Sequence, residues 1–226
     1  MKIREKEKTS DPRLLNILQR EFPSSSRVRP IIWFPSLKNA QSMYCDSKLE
    51  RDYLIHLEFD ESVERYVTQP LSIAYLSERD KPTRYTPDLL IKYVDSNRIY
   101  GEVKPFSRTQ SHGFLRKISW LNDILSNSQD TPLKVITCKD FKGDKMILNK
   151  RMLYQYLPLA EREELAAAVA PFLKSSPSYS MAQFEAWTKR TFGKKELAWA
   201  YIAQNISSIE LAKRKKLTRQ SIIEGL

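Results

Sequence analysis

The sequence predicts an α/β fold with a mixed sheet, followed by a helical C-terminal domain that ends like a winged helix. Three observations predict it. The middle of the chain orders its periodicities as helix, three strands, helix, strand. Beyond about residue 143 the pattern turns helical, with cap signals in place. Hydrophobic residues form 41% and aromatic residues 11% of the 226, enough for a real core in one good-sized domain or two small ones.

Residues 1–46 read as an N-terminal arm, because Glu21–Pro30 is rich in breakers and has no period. Ile31–Phe34 can pack onto a core before Pro35 and Ser36 end the run. Ser47 reads as a helix N-cap, with Glu50 at the capping-box spacing. The helix should run from Lys48 to about Phe59, with Leu49, Tyr53, His56 and Leu57 as its apolar stripe. Strands follow at Leu71–Leu76, Arg84–Val94 and Arg98–Lys104, the last two separated by the turn-like Asp95-Ser96-Asn97. Pro105 closes the third strand. A helix over about Gln110–Leu125 carries Phe114, Ile118, Leu121 and Leu125 on one side. Leu133–Cys138 reads as a fourth strand, and the domain spans 47–143.

Residues 144–226 form the second domain. Helices are expected at Met146–Leu157, Pro158–Leu173, Met181–Phe192 and Lys194–Gln204, with Pro158 as an N1 proline and Ser180 as an N-cap. Ile206–Leu211, a basic turn and Leu217–Ile223 then read as strand, wing and strand.

Composition excludes several function classes. Five glycines form neither G-x-G-x-x-G nor G-x-x-x-x-G-K-[ST], so the usual Rossmann and P-loop sites are out. Cys45, Cys138, His56 and His112 lie far apart in sequence, which excludes a zinc finger or a disulfide scaffold. Both cysteines read as structural thiols, His56 as packed and His112 as exposed at a helix start. The longest apolar run, Leu165–Leu173, is too short to cross a bilayer and contains Pro171. The charged first residues give no secretory signal. The expectation is a reduced, cytoplasmic protein without a membrane partner. Net charge is +11, from 38 Lys and Arg against 27 Asp and Glu, and residues 189–226 alone hold nine Lys or Arg against three Glu. That excess points to a nucleic acid. Lys213, Arg214, Lys215 and Lys216 read as a phosphate-contacting wing, with a solvated turn as the alternative.

The chemistry is concentrated in Tyr85-Thr86-Pro87-Asp88 and Glu102-Val103-Lys104. Residues two apart on a strand face the same way, so Glu102 and Lys104 share a face and Val103 turns into the core. Carboxylates on adjacent strands can share divalent cations through hard oxygens. A lysine beside them can orient or deprotonate a water. These are the parts for phosphodiester hydrolysis, with metals neutralising the developing charge. Glu50 is a candidate third carboxylate, because a charge at a core edge calls for compensation. Its alternative is capping, as a partner of Ser47. A metal-free Lys–Glu pair at a sheet edge is the alternative for the whole cluster. Asp46-Ser47-Lys48 and Asp140-Phe141-Lys142 repeat the D-x-K spacing without a preceding Pro-Asp, and read as solvated loop charges.

Trp33-Phe34-Pro35-Ser36, Ser47–Asp52, Leu57-Glu58-Phe59-Asp60, Gln69-Pro70, Tyr85–Asp88 and Glu102–Lys104 occur in this order. Together they resemble the TnsA family, the restriction-endonuclease-like subunits of heteromeric transposases, over about residues 27–140. The resemblance implies a PD-(D/E)xK nuclease core that cuts the 5′ ends of a transposon. It implies Mg²⁺, with Mn²⁺ as substitute, and two ions per site. It carries catalytic roles onto Glu50, Asp88 and Lys104. Glu102 falls where some relatives carry Gln. Glu50, Asp88, Glu102 and the Val103 carbonyl would be the metal ligands. The implied partners are double-stranded DNA at transposon ends, a DDE-type transposase subunit that cuts and joins the 3′ ends, and an AAA+ ATPase regulator. The implied location is the nucleoid of a bacterial cytoplasm. A stand-alone restriction or repair nuclease and a non-catalytic DNA-binding scaffold are the rival readings.

Overall fold

The computed structural model describes residues 11–19, 31–141 and 145–224. The first ten residues, the breaker-rich stretch at 21–30 and the expected boundary near 143 lie outside these. The chain divides into two compact units, Met1–Asp140 and Phe141–Leu226.

The first unit runs β1 (Leu14–Gln19), β2 (Ile32–Ser36), β3 (Gln41–Cys45), α1 (Lys48–Glu58), β4 (Val63–Thr68), β5 (Leu71–Leu76), β6 (Pro82–Tyr85), β7 (Leu89–Tyr93), β8 (Arg98–Val103), α2 (His112–Gln129) and β9 (Leu133–Ile136), and its boundary falls within the short α3 (Cys138–Phe141). A four-stranded sheet has the order β4-β7-β8-β9, with β8 and β9 parallel and the other pairs antiparallel. A three-stranded antiparallel sheet has the order β1-β5-β6, and β2 and β3 form a hairpin. The mixed sheet is therefore present, and β9 returns parallel to β8 through α2, as a crossover helix requires. Leu121, Ile124 and Leu125 of α2 are buried with Ile73, Tyr75, Tyr85, Tyr100 and Leu133 in one core. That core ties the three-stranded sheet to the end of β8 where the chemistry lies.

Three differences from the sequence reading concern the site. Residues 84–94 are two strands, not one. Pro87 has no N–H for a ladder and restricts Thr86, so the chain bends at Thr86–Asp88 and Asp88 stands at the entrance to β7. The arm expected over 1–46 holds ordered strands. β1 pairs with β5, and the β2–β3 hairpin packs on α1. Its turn is fastened by Glu58, whose buried carboxylate accepts from Ser36 Oγ (2.6 Å), the Leu37 and Lys38 amides (3.0 and 3.1 Å) and the Tyr66 hydroxyl (2.5 Å). β4 has no counterpart in the sequence reading, because a bulge between Val63 and Arg65 breaks its alternation.

Gly101 sits where β8 is squeezed between its neighbours. A Cβ there would stand 2.9 Å from Ile136 Cδ1 and 3.3 Å from Leu89 Cβ. The close approach brings the start of β7 and the end of β8, hence Asp88 and Glu102, side by side.

The second unit runs α4 (Met146–Leu153), a 3₁₀ segment at Tyr154–Leu159, α5 (Arg162–Ser175), β10 (Ser178–Ser180), α6 (Met181–Phe192), α7 (Glu196–Gln204), a 3₁₀ turn at Ile206–Ser208, α8 (Glu210–Arg214) and β11 (Ile222–Glu224). Phe172, Tyr179 and Phe184 pack ring to ring in its core. Ser180 caps α6 as expected, while Pro158 falls inside the 3₁₀ segment instead of starting α5. The strand expected at Ile206–Leu211 is absent, and with it the wing. Ile206, Ile209 and Ala212 are buried at a spacing of three, the period of helical turns. The only strand pairing among the described residues of this unit is β10 with β11, antiparallel. Among the described residues no helix is long and apolar enough to cross a membrane.

Candidate active site

Asp88, Glu102 and Lys104 come together where β7 begins and β8 ends. Lys104 Nζ lies 2.8 Å from Glu102 Oε1 and 3.2 Å from Asp88 Oδ2, so one ammonium bridges two carboxylates. The Val103 amide donates to Asp88 Oδ2 at 2.8 Å, and the Tyr85 hydroxyl donates to Glu102 Oε2 at 2.7 Å. The Lys104 amide completes the edge by donating to the Ile136 carbonyl. The Asp88 and Glu102 side chains are only 14% and 9% exposed, whereas Lys104 is 32% exposed. The cluster therefore opens to solvent along the lysine.

Electrostatics show a site short of positive charge. Burial pushes the Asp88 carboxyl up to about 7; the Glu102 charge adds to the rise, Lys104 opposes it, and Glu50 raises it further. Burial also raises Glu50 above its ordinary value, against the bonds it accepts from Asp46 and Ser47. Burial alone would lower Lys104, but Asp88 and Glu102 outweigh it and hold the ammonium above its usual range. Tyr85 is pushed far up by burial and then by Glu102, so it serves as a hydroxyl donor.

Glu50 does cap α1. Its Oε1 accepts from Ser47 Oγ (2.7 Å) and its Oε2 from the Asp46 amide (2.9 Å), while Ser47 Oγ accepts from the Glu50 amide (3.1 Å). It is also buried, at 9% exposure, and within electrostatic reach of Asp88 and Lys104. Among the described residues no group of three or more His, Cys, Asp or Glu is arranged to hold a metal ion. Asp88 and Glu102 form a pair, and the third carboxylate is turned to its cap.

Lys213, Arg214, Lys215 and Lys216 are exposed around the end of α8 in the other unit. Lys213 pairs with Glu210. The turn is pinned from beneath by the fully buried Asn149. Its Nδ2 donates to the Ala212 and Lys215 carbonyls and its Oδ1 accepts from the Leu217 amide, each at 2.8 Å. Cys45 is buried and its thiol pushed up to about 12 by burial, an inert packing group. His56 stacks on Tyr53, and His112 is exposed. Asp140 is a local cap that accepts from the amide and hydroxyl of Thr137. Asp46 is not a solvated loop charge. Gln69 Nε2 donates to its Oδ2 at 3.0 Å.

Two contributors have no role in the sequence reading. Tyr85 touches Glu102 directly; its signal is its position three residues before Asp88. Gln69 reaches Asp88 through the backbone, and its amide donates to the Asp88 carbonyl at 2.8 Å. In the sequence it is marked only as part of Gln69-Pro70, just before the β-rich run Leu71–Leu76.

Comparison with known families matches residues 60–147 to the TnsA-like endonuclease N-terminal domain, and over that stretch the resemblance read from the sequence holds. The match contains Asp88, Glu102, Val103 and Lys104, and it begins after Glu50. No curated protein matches the chain.

Proposed function

With a TnsA-like endonuclease domain over residues 60–147 as the premise, we propose that the chain is a divalent-metal-dependent DNA endonuclease acting at the 5′ ends of a transposon within a heteromeric transposase. The observation that carries this reading is the pair of buried carboxylates, Asp88 and Glu102, bridged by a single lysine ammonium and still short of positive charge.

The residues fit a hard cation in donor chemistry. Asp88 and Glu102 offer carboxylate oxygens and Val103 a carbonyl, and a cation would offset both the burial and the neighbouring Glu102 charge that raise Asp88. Mg²⁺, with Mn²⁺ as substitute and two ions as the family pattern, would supply charge neutralisation at the phosphate and a more acidic water. Glu50 joins as a ligand to the ion or its waters only by exchanging its bonds to Ser47 and Asp46. The chain's own residues do the rest. Tyr85 holds Glu102 and the Val103 amide holds Asp88, so neither carboxylate needs to reorganise. Lys104, kept cationic by its neighbours, orients the attacking water by donating to it. Without a cation, the Asp88 and Glu102 charges hold Lys104 above its usual range, a state in which it donates a proton rather than takes one. The products are a 5′-phosphate and a 3′-hydroxyl. A DDE-type transposase subunit and an AAA+ ATPase are the partners of this reading, and the bacterial nucleoid is its place.

Asp88→Ala should abolish 5′-strand nicking by the full chain assembled with its transposase partners, while melting and assembly stay intact. The 3′ ends should still be processed, which leaves the element joined to donor DNA and yields cointegrates. Full 5′ cutting by this variant rejects the site. Lys213, Arg214, Lys215 and Lys216 bind phosphates in an auxiliary role in this reading. Changing all four to Ala should lower the salt slope of DNA binding by about one for each phosphate they neutralise. An unchanged slope makes them a solvated turn.

A further inference from the structure

Gln69 joins β4 to β5 with a φ of 45°, in the left-handed region that glycine occupies without strain. A branched hydrogen-bond network occupies the glutamine side chain there. The side chain is buried, at 6% exposure. Its Oε1 accepts from the Tyr44 hydroxyl at 2.6 Å, and its Nε2 donates to Asp46 Oδ2 at 3.0 Å. Its backbone amide donates to the Asp88 carbonyl at 2.8 Å. The Asp46 amide, in turn, donates to Glu50 Oε2 at 2.9 Å. One residue therefore grips the backbone of Asp88 on one side and, through Asp46, the carboxylate of Glu50 on the other. It has no hydrogen bond to the side chains of Asp88, Glu102 or Lys104.

The chemistry at position 69 is specific. Asp46 presents an acceptor and Tyr44 a donor, and the Gln69 amide answers both, with its Nε2 on one and its Oε1 on the other. A carboxylate of the same length would keep the Tyr44 bond and set an oxygen against Asp46. We propose that Gln69 is the positioning residue of the active site, a cross-link that sets Asp88 and Glu50 at their working separation. The inference rests on the nuclease reading and deepens it. Displacing a reacting group by about 1 Å can cost on the order of a hundredfold in rate, so a small slip here has a large readout.

The test is a rescue. Gln69→Glu in the full chain should slow 5′-strand nicking by about ten- to a hundredfold. Asp46→Asn alone should leave nicking near wild type, because the amide oxygen still accepts from Gln69. Combining Asp46→Asn with Gln69→Glu should restore nicking to within a few fold, since the new amide at position 46 now donates to the new carboxylate. A second readout needs no metal and no DNA. The Val103 amide donates to Asp88 Oδ2, so its hydrogen exchange reports where that carboxylate stands. Gln69→Glu should speed this exchange about tenfold relative to amides of the central strand β7, and the double variant should reverse it. The proposal is overturned if Gln69→Glu leaves both readouts unchanged, if Asp46→Asn brings no rescue, or if all amides speed up together as in simple destabilisation. A wild-type chain that never cuts DNA sinks the nuclease reading, and the Val103 exchange then still decides the role of Gln69.

Discussion

The two units begin a helix in the same way with different chemistry. In α6, Ser180 Oγ accepts from the Gln183 amide at 3.2 Å, and Gln183 Oε1 accepts from the Ser180 amide at 2.8 Å. In α1, Ser47 Oγ accepts from the Glu50 amide at 3.1 Å, but Glu50 reaches one residue further back, to the Asp46 amide. The glutamine closes its box at an exposed helix start. The glutamate does it while buried, with its carboxyl raised, beside Asp88 and Lys104. A neutral amide is sufficient to cap, so the charge at position 50 is more than capping needs. Burying a charge is costly, and a cation beside Glu50 would offset that cost.

The largest effect expected from this contrast follows from exchanging the two side chains' chemistry. Glu50→Gln keeps length and acceptor, so α1 should start as before. Thermal stability should hold or rise, because burial had raised the carboxyl and the amide removes its charge. Cleavage should nevertheless fall by at least about a hundredfold if the charge serves the cation site. Gln183→Glu should change neither quantity. Strand-specific nicking beside thermal melts checks both variants, and near-normal cutting by Glu50→Gln would leave Glu50 a cap and nothing more.

Local sequence already frames that prediction, and the reason is physical. Ser47-x-x-Glu50 and the alternation of Glu102 and Lys104 depend on spacings of three and two, which local geometry enforces. The break at Pro87 is equally local, yet the apolar run around it hides the bend. Ile206–Leu211 misleads because its apolar spacing fits a short strand until Ala212 extends it at helical spacing. Gln69 and Asn149 are out of reach for another reason. Gln69 meets Tyr44 and Asp46 more than twenty residues away, and Asn149 meets Ala212, Lys215 and Leu217 more than sixty away. Nothing in their neighbours announces a partner at that distance. The charge deficit at Asp88 is likewise a property of three elements together, α1, β7 and β8.

A smaller effect concerns pH. Asp88 holds its proton in the fold up to about 7, whereas an unfolded aspartate releases it near 3.8. Between those values the folded chain binds more protons than the unfolded one, so stability must fall as pH rises. In chelator, the melting temperature of the first unit should therefore decline from about pH 4 to about pH 7. Asp88→Asn should flatten that decline and Glu50→Gln should reduce it, because Glu50 contributes to the rise of Asp88. Gln183→Glu should leave it alone. Divalent cation should flatten the decline in the wild type and have less to act on in Asp88→Asn. A melting temperature that climbs over this range would show that the carboxylates are already compensated.

The smallest effect separates the two serines. Each accepts from the amide three residues on, and losing such a cap costs about 1 kcal/mol, a shift of a few degrees in melting. Ser180→Ala should cost that much or less, since its box is exposed to water that replaces the bonds. Ser47→Ala removes more. Both serines also donate to their capping side chain, Ser180 Oγ to Gln183 Oε1 at 3.0 Å and Ser47 Oγ to Glu50 Oε1 at 2.7 Å, but only in α1 does the loss leave a buried carboxylate with the Asp46 amide as its remaining donor. Hydrogen bonds to charged groups are worth about 1.5–3 kcal/mol, so Ser47→Ala should be the costlier of the two in chelator. Adding Mg²⁺ then discriminates between the readings of Glu50. If the carboxylate serves only its cap, the deficit of Ser47→Ala is the same with and without the ion. If it serves the cation site, releasing one oxygen from Ser47 frees it to meet the ion, and Mg²⁺ should recover part of the lost stability. Ser180→Ala should show no such recovery, because Gln183 has no charge to offer. Calorimetry on the full chain, with the two units' transitions followed in chelator and in Mg²⁺, reads all four conditions. An equal response of both variants to Mg²⁺ would make the two helix starts alike, with the charge of Glu50 left as part of the fold alone.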